Sequence, residues 1–497
     1  MSETRIQQAQ AIVAQAKAAT ANWSLLIDGE FVRPTQEKTY ETYDPSTGQL
    51  IDTVAFAGPE DVNKAVAAGK RAFASWKKLH VDERAGYLRR FAAAVRAEAE
   101  NFGLLDALDC GNPYLAMVDD VKKACGTVEY FASLGMEIKG QTILTPGGGL
   151  NYTRKEPFGV TARILPFNHP IMFAVGKIAS ALIAGNTVVM KLPDQAPLSG
   201  LYLGKIIQQV FPAGVVNILS GDGATTGSHL VKHPDIYRIA FTGSVGTGRV
   251  ISQQAGICQL SLELGGKNPL IIYPDVDLEA AAHAAVAGMN YTLSQGQSCG
   301  SNSRVFVHSS LRKDFLEAVK ARVDAIRIGH AIADETQMGP VVSKPHYDRV
   351  MGYIAQGKQG GAQVVAGGDH VPGAEFEQGY FIQPTVFSNV DSRMTIAVEE
   401  IFGPVMSVID WQDEAKMLTE VNDSEYGLCA NIWTNDISTA LRMADEVEVG
   451  YVWINGLGGK RFKGAPFGGV KNSGLGREHS IDEILSFTQE KNINVRY

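Results

Sequence analysis

No apolar run in this 497-residue chain approaches the ~20 residues needed to span a bilayer, so no transmembrane helix is predicted. The first twenty residues lack the basic stretch and apolar core of a secretory signal. Instead Ile6, Ala9, Ile12, Val13 and Ala16 recur at helical spacing and predict an amphipathic helix. Cysteine is scarce: five residues, at 110, 125, 258, 299 and 429, with no CxxC pair. Neither a zinc site nor a disulfide framework is indicated; a reducing compartment, and so a cytoplasmic location, is expected. Positive charge is not in excess. The 45 Lys+Arg against 53 Asp+Glu leave a net charge of −8, which argues against nucleic acid or an anionic membrane as partner. There is no low-complexity tract, no short-period repeat and no GxGxxG fingerprint.

What is present is a soluble, globular composition, 45% hydrophobic and 20% charged, in a chain long enough for roughly three domains. From Val160 short apolar runs alternate with helical patterns. Residues 160–165, 187–191, 215–219, 238–241 and 261–264 read as strands, with helices over 169–183 and 198–210 and after Gly223 and Ser244. A second series follows, with strands over 269–273, 304–308, 405–409, 430–433 and 451–454 and helices over 278–288, 311–326 and 437–447. Such alternation with short connections predicts an α/β fold of two doubly wound parallel sheets, each covered on both faces. Ligands in such sheets sit at the carboxyl ends of strands and often between domains.

Two segments fit neither domain. Residues 136–156 read as two strands around Pro146-Gly147-Gly148-Gly149, and 486–497 as a strand-like tail. Open strand edges are liabilities unless paired. Pairing with another subunit is expected for both, against the alternative that they lie on the chain's own surface.

Cys299 stands in Gln295-Gly296-Gln297-Ser298-Cys299-Gly300, between a predicted helix and a predicted strand. Structural cysteines usually hide among Leu, Ile and Val. Small polar neighbours leave the sulfur accessible, as a nucleophile requires. Glu263 lies between leucines near the junction of the two α/β series, an unusual setting for a carboxylate without a partner or a task. Gly221-Asp222-Gly223 and Gly243-Ser244 each follow a strand and open a helix, where backbone N–H groups suit phosphates. Lys191 ends a strand with Asp194 three residues on; the two either clasp ribose hydroxyls or form a surface ion pair.

Over essentially its whole length the chain resembles the aldehyde dehydrogenase superfamily. The resemblance is carried by Pro157-Phe158-Gly159-Val160, Pro166-Phe167-Asn168-His169-Pro170, Gly185-Asn186-Thr187-Val188-Val189-Met190-Lys191 and Phe241-Thr242-Gly243-Ser244. It continues through Leu262-Glu263-Leu264-Gly265-Gly266-Lys267-Asn268-Pro269, Gly296-Gln297-Ser298-Cys299, Glu399-Glu400-Ile401-Phe402-Gly403-Pro404, Pro466-Phe467-Gly468-Gly469-Val470-Lys471 and Gly474-Leu475-Gly476-Arg477-Glu478.

The resemblance implies NAD-dependent oxidation of an aldehyde, with Cys299 as nucleophile, Glu263 as general base and Asn168 as oxyanion donor. Lys177 and Glu478 look like the pair that relays protons from the base in some relatives. Lys191 and Asp194 would hold the adenosine ribose, Ser244 the pyrophosphate, Glu400 the nicotinamide ribose, and Phe402 would pack near the nicotinamide. Ile164, Pro166, Phe167, Gly223, Phe241, Leu264 and Gly265 complete the implied cofactor groove. His346 falls where relatives place a ribose-contacting Gln. Asp194 stands where a Glu is common, one methylene longer; either carboxylate repels a 2′-phosphate, so NAD is expected over NADP. Residues 1–135 and 157–262 would form the NAD-binding domain and 263–476 the catalytic domain. Residues 136–156 and 477–497 would form an oligomerisation hairpin and strand of a homodimer or homotetramer.

The chemistry so implied needs a thiolate, and a helix N-terminus near Cys299 together with the positive nicotinamide is expected to favour it. The Asn168 amide and the Cys299 backbone N–H would hold the oxyanion. Collapse of the hemithioacetal leaves a thioester, which water activated by Glu263 hydrolyses to a carboxylic acid. His169, Phe173 and Gly176 are spaced to share one helical face, which by the resemblance lines the substrate tunnel. Gly176, where many relatives carry an aromatic, widens the tunnel and removes one wall of a cage for a quaternary ammonium. A bulky apolar or aromatic aldehyde is therefore expected over betaine aldehyde. Leu293 and the loop 456–465, with Lys460, Arg461 and Lys463, would complete the mouth, unless that basic loop is simply solvated. The rivals are a CoA-acylating or semialdehyde dehydrogenase, a non-catalytic protein retaining the fold, and a cysteine hydrolase. The last leaves Lys191, Glu400 and Phe402 unexplained.

Overall fold

A strand covered by helices on both faces has to be apolar on both faces, and five short segments meet that demand. Val160–Ile164, Thr187–Lys191, Val216–Leu219, Ile236–Thr242 and Gln259–Glu263 are buried along most of their length. In the computed structural model, which describes residues 3–146, 148–458 and 461–496, they pair in parallel. Their order is Gln259–Glu263, Ile236–Thr242, Val160–Ile164, Thr187–Lys191, Val216–Leu219. Alternate residues feed two separate cores: Val188 and Met190 join one, Val189 the other. Leu25–Ile27 and Glu30–Val32 extend one edge in antiparallel fashion. Gly474–Leu475 closes the other edge against Leu262 and Glu263.

The second sheet runs Gln363–Ala366, Thr385–Ser388, Val405–Trp411, Arg304–His308, Pro269–Ile272, Cys429–Trp433, Tyr451–Ile454, parallel except at its first pair. Ile271 faces one core while Leu270 and Ile272 face the other. The fold is thus α/β with two parallel sheets, as the alternation predicted. Among the described residues no helix is long and apolar enough to cross a membrane.

The protruding hairpin and the tail pair with each other in the same chain. Leu150–Pro157 lies antiparallel to Thr488–Val495 over eight residue pairs, with Thr142–Ile143 on its other side. Only the outer edges of that small sheet remain open. The helix expected over 169–183 is two helices, Pro170–Gly176 and Ala179–Ile183. Lys177 caps the first, so its side chain leaves the helix where a charged partner waits.

Candidate active site

The carboxyl ends of the first sheet's strands bring the predicted cofactor residues together. Ile164 and Lys191 end their strands side by side, in register. Phe241 pairs with Ile164 on the other flank. Lys191 is 4% exposed and makes no ion pair among the described residues, which removes the surface ion-pair alternative. Burial lowers its pKa, and Asp194 and Asp222 are the charges that oppose the shift. Ser244 caps the helix Val245–Gln254 by accepting the Thr247 N–H at 3.2 Å. That leaves the first turn's remaining N–H groups free for an anion. A side chain on Gly223 or Gly246 would meet nothing within 4 Å, so both border open space. Phe241 lies directly beneath Gly243, and Leu264 packs against Gly248.

On the opposite wall, Glu400 accepts the Gly266 N–H at 2.8 Å. Burial pushes its carboxyl up to about 7. Its carboxylate lies against Gly265, where no side chain would fit. Phe402 takes a left-handed φ of 58°, unusual for a non-glycine residue. Its ring meets Phe167 edge-on at 5.7 Å, and its carbonyl accepts from His346 Nε2 at 2.7 Å. Burial lowers His346 to about 4, so it is neutral, and it fixes the Phe402 loop rather than offering a free side chain. Pro166 leads into Phe167 from the strand end. Open space at Gly223 and Gly246 gives a pyrophosphate the backbone approach it needs. The donor set fits a dinucleotide.

The thiol lies where the two sheets meet. Tyr291–Ser294 is one short helical turn, left through Gln295 and Gly296 with φ of 53° and 70°. Any side chain on Gly296 would strike the Gly403 carbonyl at 2.3 Å, so this position demands glycine. Asn268 Nδ2 donates to the Cys299 carbonyl at 2.7 Å and the Ser301 carbonyl at 2.9 Å, pinning the loop from below. Asn168 Nδ2 donates to the Gln297 carbonyl at 2.9 Å, and Asn112 holds the Asn168 carbonyl at 2.8 Å. Among the described residues the Cys299 backbone N–H donates to nothing. The nucleophile loop therefore has one idle backbone donor at Cys299 and the Asn168 amide bonded two residues before it.

No helix begins at Cys299 itself, though the helix Pro170–Gly176 starts two residues after Asn168, which bonds its loop. Turns follow Cys299 until the strand Arg304–His308. Burial raises the Cys299 pKa, and the charge that opposes the shift is Arg461. Glu263 is 5% exposed, and neither carboxylate oxygen has a hydrogen-bond partner. Burial, then the like charge of Glu478, raises its pKa well above the usual range. Glu478 is fully paired: Lys177 Nζ lies 2.6 Å from both its oxygens, and Arg163 3.6 Å away. Burial works against ionisation here too, but Lys177 and Arg163 outweigh it and hold Glu478 at about 2. Lys177 also donates to Thr242 at 3.0 Å.

The predicted substrate face is only partly open. His169 precedes the helix, buried, its Nδ1 2.5 Å from Asp120, and its ring meets Phe173 edge-on at 6.0 Å. A methyl on Gly176 would reach only Thr127, at 3.8 Å, so the glycine leaves a gap between its helix and Tyr114–Leu134. Leu293 is half-buried just before the nucleophile loop. Arg461 turns inward, its guanidinium 3.5 Å over the Phe467 ring. Lys460 lies outside the described residues. Asn268, Asn112 and Asp120 were not singled out from sequence. Asn268 stands inside a quoted motif, but its two bonds to the loop depend on chain crossings that no local pattern encodes.

Residues 31–493 match the family model described as the aldehyde dehydrogenase family. The chain is 45% identical over 488 residues to aldehyde dehydrogenase tropH of Talaromyces stipitatus, covering 96% of this chain and 94% of that one. The NAD+ complex of an aldehyde dehydrogenase from Bacillus cereus superposes with a TM-score of 0.93 at 40% identity, over 97% of this chain and 98% of that one. Betaine aldehyde dehydrogenase from Staphylococcus aureus in complex with NAD+ gives 0.93 at 33% identity, over 98% and 97%.

Proposed function

This chain belongs to the aldehyde dehydrogenase family and is an NAD-dependent aldehyde dehydrogenase; from that premise we propose that it converts a bulky apolar or aromatic aldehyde to the free carboxylic acid through a thioester on Cys299. The observation that carries the reading is the unpartnered, buried carboxylate of Glu263 in the electrostatic field of the half-buried Cys299 thiol. A buried carboxyl with no partner costs stability and calls for a task.

The Cys299 sulfur attacks the aldehyde carbon. The Asn168 amide exchanges its Gln297 contact for the developing oxyanion, and the idle Cys299 N–H supplies the second donor. NAD, when bound, supplies the acceptor for the electron pair and hydrogen that leave the adduct. Lys191 and Asp194 would hold its adenosine ribose, Ser244, Gly223 and the helix behind Ser244 its phosphates, and Glu400 its nicotinamide ribose. Phe402 and Phe167 would wall the nicotinamide, with Ile164, Pro166, Phe241, Leu264 and Gly265 as the floor. A raised pKa suits Glu263 to take a proton from water, which then attacks the thioester. Lys177 and Glu478 would carry the proton onward as the resemblance implies, and the like charge of Glu478 helps raise Glu263. His169, Phe173, Gly176, Leu293 and Arg461 would line the substrate tunnel.

We infer a homodimer or homotetramer, because the exposed strand Thr488–Val495 has one edge unpaired in the chain. A cytoplasmic setting fits five cysteines that are all free. The test is NADH absorbance with acetaldehyde, hexanal, benzaldehyde and a terpenoid aldehyde, with NAD and NADP in parallel, and with and without CoA. Higher kcat/KM for the larger aldehydes and free acid as product are expected. A clear preference for acetaldehyde overturns the substrate class, and acyl-CoA as product overturns the hydrolytic step.

A further inference from the structure

Arg461 is a cation at the thiol with no anion of its own. Its guanidinium sits 3.5 Å over the face of Phe467, and its Nε is buried without a hydrogen-bond partner. One terminal nitrogen lies 3.5 Å from where a β-carbon on Gly300 would stand, beside Cys299. Its charge is felt by Cys299, Glu263, Cys429 and His479, groups that surround the reaction centre. Among the described residues no carboxylate comes within ion-pair distance of it.

Two acids of the helix Tyr114–Leu134 are already taken. Asp120 is held by His169 at 2.5 Å and by Lys123 at 3.3 Å, and Asp119 by Lys123 at 2.9 Å. The next basic residue of the loop, Lys463, reaches towards Gly126 on the helix Tyr114–Leu134 and also makes no ion pair among the described residues. Lys463 is exposed and feels the charge of Glu129, so Arg461 alone brings a cation without an ion-pair partner to the thiol. Guanidinium binds carboxylates through two parallel hydrogen bonds, and it does so best where water is thin. Phe467 is 2% exposed and its face is already covered by that guanidinium, so the ring props the cation beside the thiol and leaves its hydrogen-bonding edge to a ligand.

The geometry points to Arg461 as the specificity-determining residue for an aldehyde that carries a carboxylate a few bonds from its carbonyl. This rests on the aldehyde oxidation proposed above and narrows its substrate class from bulky or aromatic to anionic aromatic. In the free protein the guanidinium rests on Phe467 beside the thiol. When such a substrate enters, it turns to the carboxylate and draws the carbonyl towards Cys299.

The experiment compares 2-, 3- and 4-carboxybenzaldehyde with their methyl esters, which match them in shape but carry no charge. Initial NADH rates are measured for the whole enzyme and for Arg461→Met and Arg461→Lys. In the parent enzyme at least one acid is expected to exceed its ester in kcat/KM by about 10–100-fold. In Arg461→Met that ratio should fall to about one, with most of the loss in KM, while Arg461→Lys retains part of it. A cation serving only to ionise the thiol would change acid and ester equally and leave the ratio intact, which overturns the proposal. Equal rates for acid and ester at all three ring positions in the parent enzyme overturn it as well, while leaving aldehyde oxidation standing. No NADH from any aldehyde would instead overturn the function on which the proposal rests.

Discussion

Two groups of buried charge lie within a few residues of each other and are built on opposite rules. In one, each carboxylate faces a cation. Lys177 and Arg163 share Glu478, and Arg163 also reaches Glu483 at 2.9 Å, which accepts from Ser180 at 2.7 Å. Arg238 donates to Ser261 and lies over Phe487 alongside Arg163. In the other, Glu263, Cys299 and Arg461 feel one another's charge but make no ion pair or hydrogen bond that would satisfy Glu263. Burial costs are offset in the first group and left standing in the second. The paired lattice fixes the strand ends and the returning tail; the unpaired triad keeps its polar atoms free for a substrate. The two should therefore fail in different ways when broken.

The largest effect is expected at the sulfur. Cys299→Ala should lower NADH formation by at least about 10⁴-fold, as removal of a nucleophile does elsewhere, with an unchanged melting temperature. Residual turnover within ten-fold of the parent would move the chemistry away from the unpaired group.

The paired lattice should respond in stability. Glu483→Gln leaves the buried Arg163 guanidinium with Glu478, at 3.6 Å, as the one carboxylate facing it among the described residues, and should cost about 3–5 kcal/mol in urea unfolding. A loss under about 1 kcal/mol would mean that the pairing is incidental.

Glu263→Gln sharpens the contrast. It removes a buried carboxyl with no partner, so the melting temperature should hold or rise. Turnover should nevertheless fall by about 10²-fold, with a burst of NADH equal to the enzyme concentration as the thioester accumulates. Because the Glu263 pKa is raised, the parent's steady-state rate should climb with pH as the carboxyl ionises. That limb should vanish in the variant while the burst remains. A variant without a burst would assign the base elsewhere.

How far these rules could be read in advance differs between the two groups. Cys299, Glu263 and Asn168 stand in short motifs whose residue types already state their chemistry, and the strand-helix alternation placed Glu263 and Cys299 near the junction of its two series. Lys177 with Glu478 was paired through family resemblance alone, since 301 residues separate them and no local pattern links them. Arg461 was legible only as one charge in a basic loop; its turn onto Phe467 depends on tertiary packing. The same holds for Asp120 beneath His169, and for the hairpin and tail, where each edge was visible but its mate was not. Local pattern records which groups a site contains, and long-range packing decides which of them are neutralised.

Asp106 makes the smallest but most discriminating case, because it is buried and poorly satisfied yet lies away from the thiol. Its Oδ2 accepts the Ile171 N–H at 3.0 Å at the start of the helix that carries the tunnel face, and its Oδ1 has no partner. Burial first, with Asp109 and Asp120 adding to it, pushes it up to about 8. The folded protein thus holds the proton that the unfolded chain releases near the ordinary carboxylate value of about 4. The stability contributed by that proton is fully present below about 4 and is lost as pH rises through about 8. Asp106→Asn fixes the neutral form. Across one pH unit near neutrality the parent should therefore lose about 1 kcal/mol of unfolding free energy that the variant keeps. Parallel pH curves for the two proteins would mean that Asp106 is ionised and compensated. The division between paired lattice and unpaired triad would then no longer describe how this fold treats its buried carboxyls.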